Sequence, residues 1–413
     1  MTGNESALAL DAETRLGLAV IRSLGKRGIR VVAAGVDANS IGFRSRFASH
    51  ALVYPHPTRD PRGFARTVLD AVAAHGLHMV FPASDMTLAV LSAAQDDFRP
   101  HCQLPFPQRA SVDRVLNKRQ TLEAAEQLGI PYPRTMYPST KGEAVDMART
   151  IGFPVVLKPI VSAAVDAARG LDFKTVIVRD TAQLTAALAI MPDGRSMPLL
   201  QAYHRGTGVG VEVLMRAGQA HAMFQHRRLR DQPPEGGVSV LRVSEKVDPE
   251  LADRALRLLR ELQWDGVAMV EFRQHGYDPS AALLMEVNGR IWGSIELAIF
   301  SGVDFPALAY EAFVHGGRSL PPAYRIGVRA HWMLGDLAAL LMMRRARNGE
   351  QPGLARSIAS FLWSCSPFVH QDVLSATDLG PALQEAVNLM RRNLRRSGSQ
   401  TLAPSGEQVR SVT

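Results

Sequence analysis

The residues whose types and spacing best suit chemistry lie at positions 284–290. Alternate residues of a strand point to the same side, so Glu286 and Asn288 share one face while Val287 points to the core. Arg290 extends that face if the backbone stays extended. Magnesium prefers hard oxygen ligands, and arginine stabilises phosphate charge. This segment therefore predicts a site for magnesium and phosphate.

A second acidic strand comes just before this segment. Glu271 lies within an apolar run at residues 269–273, and residues 274–281 can form the loop of a hairpin. Such a hairpin places Glu271 beside Glu286, and two crowded carboxylates are costly unless a cation neutralises them. We therefore predict Glu271, Glu286 and Asn288 as metal ligands. The alternative is an ordinary hairpin whose acidic residues face water or pair with arginines.

Two lysines lie at the edges of regular elements. Lysine accounts for only six of the 47 basic residues, so each one is less easily explained as random surface charge. Lys118 follows Asn117, which can cap a helix, and Lys158 ends a predicted strand just before Pro159. A flexible ammonium at either position can reach a ligand. A role in surface solubility is the alternative for both.

A basic segment at residues 225–237 is predicted to interrupt two strands. Arg227 and Arg228 could orient a carboxylate or a phosphate, and Gly236-Gly237 would let backbone N–H groups approach an anion. The alternative is an exposed hairpin loop.

The elements that must position these residues divide the chain into regions. Up to about residue 105, strands alternate with helices, which predicts a parallel sheet covered by helices. The turn after the first strand, residues 11–15, lacks the early glycines of a dinucleotide fingerprint, so a hydride-transferring cofactor is poorly supported. Residues 106–320 contain many strands and few crossover helices, which predicts an antiparallel α+β region. Residues 321–396 are predicted to be mainly helical, and residues 397–413 to form a disordered tail.

Composition bounds the class of protein. A chain of 413 residues with 46% apolar and 21% charged residues predicts a globular protein of two or three domains. Cys102 and Cys365 suggest neither a disulfide framework nor a zinc site, and we find no secretory signal or membrane span. We therefore expect a cytoplasmic protein without a membrane partner. The net charge of +8 is scattered and carries no recognisable nucleic-acid motif, so nucleic-acid binding is not expected.

The order of these motifs over residues 5–315 resembles that of ATP-grasp enzymes. The family usually has a parallel α/β N-terminal domain followed by two α+β lobes that clamp ATP, so the expected fold class is α/β plus α+β with a helical C-terminal extension. The resemblance implies that Glu271, Glu286 and Asn288 hold Mg²⁺, with Mn²⁺ as an alternative. The resemblance also implies the residues that contact the nucleotide. They lie at the start of the predicted helix after Asn117, at the end of the predicted strand before Pro159, in the loop that covers the phosphates, and in the hinge strand that lies along adenine: Lys118, Lys158, Ser162, Gln201, Ala202, Tyr203 and Gly206. The catalytic residues would be Arg290, Lys158, Arg227 and Arg228.

Three departures from the family pattern concern nucleotide binding. The phosphate-covering loop at residues 160–171 has a single glycine, Gly170, where the family is often glycine-rich. The hinge Gln201-Ala202-Tyr203 lacks the glutamate often present there. The segment 207–211 lacks the acidic residue that commonly holds the ribose. These departures leave base preference and affinity open, while the magnesium motif is intact.

The resemblance implies an ADP-forming ligase that activates a carboxylate as an acyl phosphate for attack by an amine or another nucleophile. The expected partners are ATP and small-molecule carboxylate and amine substrates, and a homodimer is a further expectation. A bicarbonate-using carboxylase or carbamoyl-phosphate-type enzyme is the first alternative. A nucleotide-binding regulatory subunit without turnover is the second. No nucleophilic serine or cysteine of the protein is predicted, since neither a G-x-S-x-G motif nor a Cys/His pairing is evident.

Overall fold

The computed structural model describes residues 5–161, 175–191, 196–232, 237–317, 323–345 and 354–400. The N-terminal elements are β1 (Ser6–Ala9), α1 (Arg15–Gly25), β2 (Arg30–Gly35), β3 (Ala48–Val53), α2 (Pro61–His75), β4 (Met79–Phe81), α3 (Asp85–Ala93) and α4 (Gln95–Phe98). Their strands form a parallel sheet in the order β3-β2-β1-β4. The parallel N-terminal sheet predicted from the alternation of strands and helices is therefore confirmed.

Strand β3 and the short helix α4 are N-terminal elements that the hydrophobic pattern did not reveal. Strand β3 lies at the edge of the sheet and most of its residues are exposed or half-buried. An exposed edge strand carries little of the apolar alternation by which a strand is recognised in a sequence. Helix α2 is also longer than predicted, because Asp60 caps it and Pro61 occupies its first turn.

The next elements form a small antiparallel domain. They are α5 (Arg109–Leu116), α6 (Lys118–Gln127), β5 (Thr135–Met136), α7 (Lys141–Ile151), β6 (Val155–Lys158), β7 (Val176–Val178), α8 (Thr181–Ala189) and β8 (Leu199–Ala202). The sheet order is β5-β8-β6-β7. A small separate core of buried aliphatic residues, including Leu157, Leu184 and Leu200, joins the sheet to α7 and α8.

A seven-stranded sheet follows in the order β13-β12-β9-β10-β11-β14-β15, in which β15 is His370–Gln371. Its elements and the helices between them are β9 (Thr207–Arg216), β10 (Gln219–Gln232), β11 (Val238–Glu245), α9 (Pro249–Glu261), β12 (Gly266–Gln274), β13 (Leu283–Asn288), α10 (Ile295–Ser301), α11 (Phe305–Tyr310) and β14 (Arg329–His331). The strands pair antiparallel except β14 with β15. The expectation of an antiparallel α+β region is confirmed.

The prediction that residues 225–237 interrupt two strands is wrong for most of the segment. Strand β10 continues to Gln232, because its charged side chains find partners without leaving the ladder. Arg227 pairs with Glu245, Arg228 with Glu271, and Arg230 with Asp336. Residues 233–236, including Gly236 of the predicted anion loop, lie outside the described residues.

The C-terminal region contributes α12 (Met333–Arg345), α13 (Leu354–Ser364), β15 (His370–Gln371) and α14 (Gly380–Gln400). The last helix continues through residues 397–400, where the sequence predicted the start of a disordered tail. Residues 401–413 lie outside the described part of the chain. Within the described residues no single helix is long and apolar enough to cross a membrane; the pair Ile295–Ser301 and Phe305–His315 passes on length and composition together but bends by 89°.

Buried ion pairs attach the C-terminal region to the rest of the protein. Asp372 accepts hydrogen bonds from Arg15 of α1 (2.6 Å) and from Arg242 of β11, and all three side chains are buried. Further along the chain, the Asp378 carboxylate pairs with the Arg22 guanidinium of α1 at 2.9 Å. These contacts place α12 and α14 over the same face of the large sheet that carries Glu271 and Glu286.

Candidate active site

The two predicted acidic residues lie directly opposite each other in the β12–β13 hairpin. Glu271 pairs with Glu286, and Met269 pairs with Asn288, so all four side chains share one face of the sheet. The predicted hairpin is therefore confirmed. The Asn288 amide donates a hydrogen bond to Glu286 at 3.3 Å.

The two carboxylates have different electrostatic surroundings. Burial raises the pKa of Glu271, and the charge of Arg228 offsets this only in part. Burial also acts on Glu286, but the positive charges of Lys118 and Lys158, with the Asn288 hydrogen bond, outweigh it and hold the pKa of Glu286 below its usual value. Opposite charges nearby favour an ionised carboxylate. The charges of the two lysines therefore favour the ionised form of Glu286.

Both predicted lysines reach this site from the small domain. Lys118 begins α6, where the Asn117 side chain caps the helix, and it lines a narrow cavity together with Glu286 and Asn288. The Lys118 backbone N–H also donates to the Ile160 carbonyl at 2.8 Å. This hydrogen bond joins the start of α6 to the residues that follow β6, the strand that carries Lys158.

Lys158 is positioned by a side chain of the hinge strand. Its ammonium donates to the Gln201 amide oxygen at 2.8 Å, and the Gln201 amide nitrogen donates to Thr135 at 2.9 Å. Gln201 is almost fully buried. Burial lowers the pKa of Lys158, with Glu286 opposing the shift. The structure thus places Gln201 against Lys158.

The remaining hinge residues lie at the end of the small sheet. Ala202 closes β8 through a backbone bond to Arg134, and the Tyr203 amide donates to the Pro154 carbonyl. Gly206 has a φ of +148°, and a side chain there would collide with the backbone of Gln274. Ser162, predicted in the phosphate-covering loop, lies outside the described residues.

The two predicted arginines of β10 point to opposite sides of the sheet. Arg228 crosses β9 and bonds Glu271 at 2.5 Å. Arg227 lies on the other side, where it bonds Glu245 at 2.6 Å and Gln274 at 3.0 Å and stacks on Tyr277. Side chains alternate along a strand, so adjacent residues cannot both enter one site.

Arg290 lies on the carboxylate side, as expected if the chain stays extended. Its guanidinium bonds the Asp85 carboxylate at 2.9 Å, and Asp85 begins α3 of the N-terminal sheet domain. The contact attaches the β12–β13 hairpin to that domain. Sequence reasoning did not single out Asp85, because no local motif marks it and its partner lies 205 residues away.

A buried acid–histidine pair lies behind these residues. His226 and Glu212 are both fully buried and their side chains approach to 2.5 Å, and His226 passes over Gly210 to make this contact. Burial raises the pKa of Glu212 and lowers the pKa of His226. Both shifts disfavour the charged forms of the two side chains, as expected for a histidine packed in a strand.

A cavity of about 610 Å³ opens over the carboxylates. Its walls come from the turn after β1 and the start of α1, from β10 to β13, and from the C-terminal region. Residues of the predicted site that line it are Arg228, Glu271, Glu286, Asn288 and Arg290. Glu13, Trp332 and Glu385 also line it and were not predicted.

The donor atoms present fit magnesium. Glu271 and Glu286 offer carboxylate oxygens and Asn288 an amide oxygen. Among the described residues, no group of three or more acidic, histidine or cysteine side chains is arranged to hold a metal by itself. Magnesium is commonly bound by one or two carboxylates together with substrate phosphates, so a site completed by phosphate suits it.

Comparison with known proteins shows what parts of the chain resemble. A family model described as "ATP-grasp in the biosynthetic pathway with Ter operon" matches residues 195–335, which contain Arg228, Glu271, Glu286 and Arg290. This match shows that the region around the β12–β13 hairpin is similar to ATP-grasp proteins.

Individual relatives extend the comparison. The alpha-aminoadipate–LysW ligase LysX of Sulfolobus acidocaldarius is 27% identical over 189 residues, covering 43% of this chain and 63% of that protein. The match thus spans less than two thirds of the relative's length. The biotin carboxylase of Campylobacter jejuni has a TM-score of 0.61 at 14% identity, over 79% of this chain and 74% of that one. The L-amino acid ligase of Bacillus licheniformis has a TM-score of 0.59 at 14% identity, over 78% and 76%. These structural likenesses establish the fold.

Proposed function

We propose that this protein is an ADP-forming, Mg²⁺-dependent ligase that activates a carboxylate as an acyl phosphate and transfers the acyl group to an amine or another nucleophile. The observation that carries the proposal is the opposed pair Glu271–Glu286, with Lys118 and Lys158 close enough to shift the pKa of Glu286. Carboxylates that hold a cation beside ammonium groups that hold phosphate are what phosphoryl transfer requires.

Each group has a proposed role. Glu271, Glu286 and Asn288 would hold Mg²⁺, which would neutralise charge on the nucleotide phosphates when bound. Lys118, Lys158 and Arg290 would stabilise the charge on the transferring phosphoryl group. Such preorganised charges act without reorganisation at the moment of reaction. In this structure Arg228 forms an ion pair with Glu271. When Glu271 binds Mg²⁺, the Arg228 side chain would turn to the substrate carboxylate or the acyl phosphate.

The reaction has two balanced steps. A carboxylate oxygen of the substrate bonds to the γ-phosphorus of ATP, and the bond from that phosphorus to the ADP oxygen breaks. A neutral amine then attacks the acyl carbon, the bond to the phosphate oxygen breaks, and phosphate leaves with the electron pair. The amine nitrogen loses one proton, which the departing phosphate accepts, to give the amide. Closure around the cavity would protect the acyl phosphate from water.

The named relatives favour a ligase without fixing its substrates. LysX of Sulfolobus acidocaldarius and the Bacillus licheniformis protein are both described as ligases. The similarity to biotin carboxylase keeps bicarbonate open as the carboxylate, as the sequence alternatives did. Bicarbonate dependence therefore belongs in the first experiment.

The test is release of ADP and phosphate from the purified chain with ATP and Mg²⁺, in pools of amino acids, other carboxylates, amines and bicarbonate. Glu286→Ala is the active-site variant, and Glu123→Ala, an exposed residue of α6, is the matched control. We expect release that depends on one pool, survives in the control and is lost in Glu286→Ala. Release only with bicarbonate would select the carboxylase alternative. Mg·ATP binding without release from any pool would select the regulatory alternative.

A further inference from the structure

The cavity over the carboxylates has a wall built by the C-terminal region. Trp332 immediately precedes α12, Leu334 and Ala338 belong to the first turns of α12, and Leu389 belongs to α14. Leu16 and Ile41 of the N-terminal domain line the same cavity. We call these six side chains the apolar wall. They offer hydrocarbon and aromatic surface, which favours contact with the apolar part of a ligand.

Trp332 is the rigid part of the apolar wall. Its indole N–H donates to Glu385 at 2.8 Å, and the Arg15 guanidinium stacks 4.6 Å from the ring centre. The ring also lies against Gly335, where an added Cβ would come within 2.2 Å of it. Glu385 therefore holds the indole at its N–H edge, Arg15 covers one face of the ring, and the backbone at Gly335 packs against it. These contacts fix the ring, so it presents a rigid surface to a ligand.

The basic groups that line the cavity are already paired with acidic groups. Arg15 binds Asp372, Arg228 binds Glu271, and Arg290 binds Asp85. These partners lie in the metal site or in the buried contacts between domains. The positive charges that line the cavity are therefore already balanced. Little positive charge remains for a ligand that binds there in addition to the nucleotide.

Glu13 supplies negative charge to the same cavity. It follows β1 at the start of α1, and one of its oxygens accepts a long hydrogen bond of 3.4 Å from the Val36 amide. Burial and the neighbouring charge of Asp11 raise the pKa of Glu13 to about 7. A group with these neighbours is stabilised by a cation, whereas an anionic ligand would add to the repulsion.

Within the ligase function proposed above, we infer that the nucleophile is a primary amine on an apolar, aromatic or branched body, with its ammonium bound by Glu13 and its body against the apolar wall. The ammonium would pass one proton to the Glu13 carboxylate before the neutral amine attacks. The ammonium would balance the Glu13 charge, and burial of the body would supply affinity. A sugar or another polyhydroxylated acceptor placed against the apolar wall would leave the hydroxyl groups on that side without hydrogen-bond partners, at a cost in free energy.

The experiment measures binding, so it does not depend on turnover. Three probes share one body and differ in one group: phenethylamine, 2-phenylethanol and 3-phenylpropanoate. Each is titrated calorimetrically into the full-length protein at pH 8, without ATP. We expect the amine to bind about tenfold more tightly than the alcohol, a difference of ~1.4 kcal/mol, and the carboxylate to bind most weakly.

Variants assign the preference to residues. Glu13→Gln should reduce amine binding to that of the alcohol, and Glu13→Asp should keep part of the preference. Trp332→Ala should weaken amine and alcohol alike, because it removes body contact without changing charge. Glu123→Gln, outside the cavity, should change nothing. An unfolding curve on each variant checks that it is folded.

Equal binding of the three probes, tighter binding of the carboxylate, or an amine preference that survives in Glu13→Gln would each overturn the inference. Failure of the ligase proposal is a separate result, since it would appear as absence of ADP release while the amine preference persists. Release of ADP with an anionic or polyhydroxylated acceptor, with no amine preference, would overturn this inference alone.

Discussion

Arg228 reaches the Glu271 carboxylate across strand β9, passing over Gly208, the position where that strand has no side chain to block it. Gly208, Gly210 and Glu212 form one face of β9, while Val209, Val211 and Val213 form the other and lie in the core. The two glycines open paths for Arg228 and His226, respectively. In this arrangement the protein supplies a cation to the crowded carboxylates.

Removing that cation should make the protein depend on magnesium for stability. Breaking a largely buried ion pair leaves an uncompensated charge, which costs about 3–5 kcal/mol. We therefore expect Arg228→Met to lower the free energy of unfolding by about that amount without Mg²⁺, and added Mg²⁺ to recover more stability than in the wild type. Denaturant unfolding with and without Mg²⁺ measures both. Arg119→Met, which breaks an exposed helix pair, should lose less than about 1 kcal/mol.

A side chain at Gly208 should disturb Arg228 without removing it. A Cβ at this position would lie 2.7 Å from the Cδ atom of Arg228, so the arginine must shift away from Glu271. Gly208→Ala should lower Mg·ATP-dependent turnover while leaving the overall fold intact. Gly142→Ala is the control, because its nearest neighbour would be 3.9 Å away. Unchanged turnover in Gly208→Ala would mean that the Arg228 position does not matter to the reaction.

Gln201 should act on ATP through Lys158. Gln201→Leu removes the acceptor of the lysine ammonium and leaves both Lys158 and Thr135 without this partner, at a cost of about 1–3 kcal/mol. We expect a KM for ATP raised by about tenfold or more, with a smaller rise in Thr135→Val. Steady-state kinetics at several ATP concentrations test this. An effect confined to thermal stability would indicate a purely structural role for Gln201.

The buried ion pairs of Asp372 should make the attachment of the C-terminal region sensitive to acid. Burial acts to raise the pKa of Asp372, but the charges and hydrogen bonds of Arg242 and Arg15 outweigh it, so the pKa lies below its usual value. A lowered pKa in the folded state contributes stability above the pKa of the unfolded chain, and this stability is lost as the pH falls through the folded value.

Asp372→Asn should therefore be destabilised by about 3–5 kcal/mol at pH 7, because Arg242 loses its buried partner. The difference from the wild type should shrink as the pH is lowered below about 4. Glu296 also faces Asp372, and burial with that charge raises the pKa of Glu296 to about 8. Glu296→Gln measured in parallel separates its titration from that of Asp372. A difference that is constant with pH would contradict the assignment.

Glu13 should show the opposite dependence on pH. Its folded pKa of about 7 lies above the value of the unfolded chain, so the folded state binds the proton more tightly and loses stability as the pH rises towards 7. Glu13→Gln should be more stable than the wild type at pH 8 and similar to it at pH 4. Unfolding at the two pH values tests this, with Glu123→Gln as an exposed control. Equal effects at both pH values would contradict it.

The sequence alone predicted many of the elements around the site and much of their local chemistry. The strand period placed Glu286 and Asn288 on one face, the loop between two apolar runs predicted the hairpin opposite Glu271, and Asn117 marked the start of the helix that carries Lys118. These signals are local, because periodicity, capping and turn formation depend on residues close together in the chain.

Only the tertiary structure decided which of these groups meet. Because side chains alternate along β10, Arg227 and Arg228 lie on opposite faces of the sheet. Which of the two faces carries the cavity depends on the order of the strands in the sheet. Asp85 with Arg290, and Arg15 with Asp372, join residues more than 200 positions apart. Such pairs depend on how whole elements dock, and this is set by burial of apolar surface over the entire molecule, for which no short segment carries a signal.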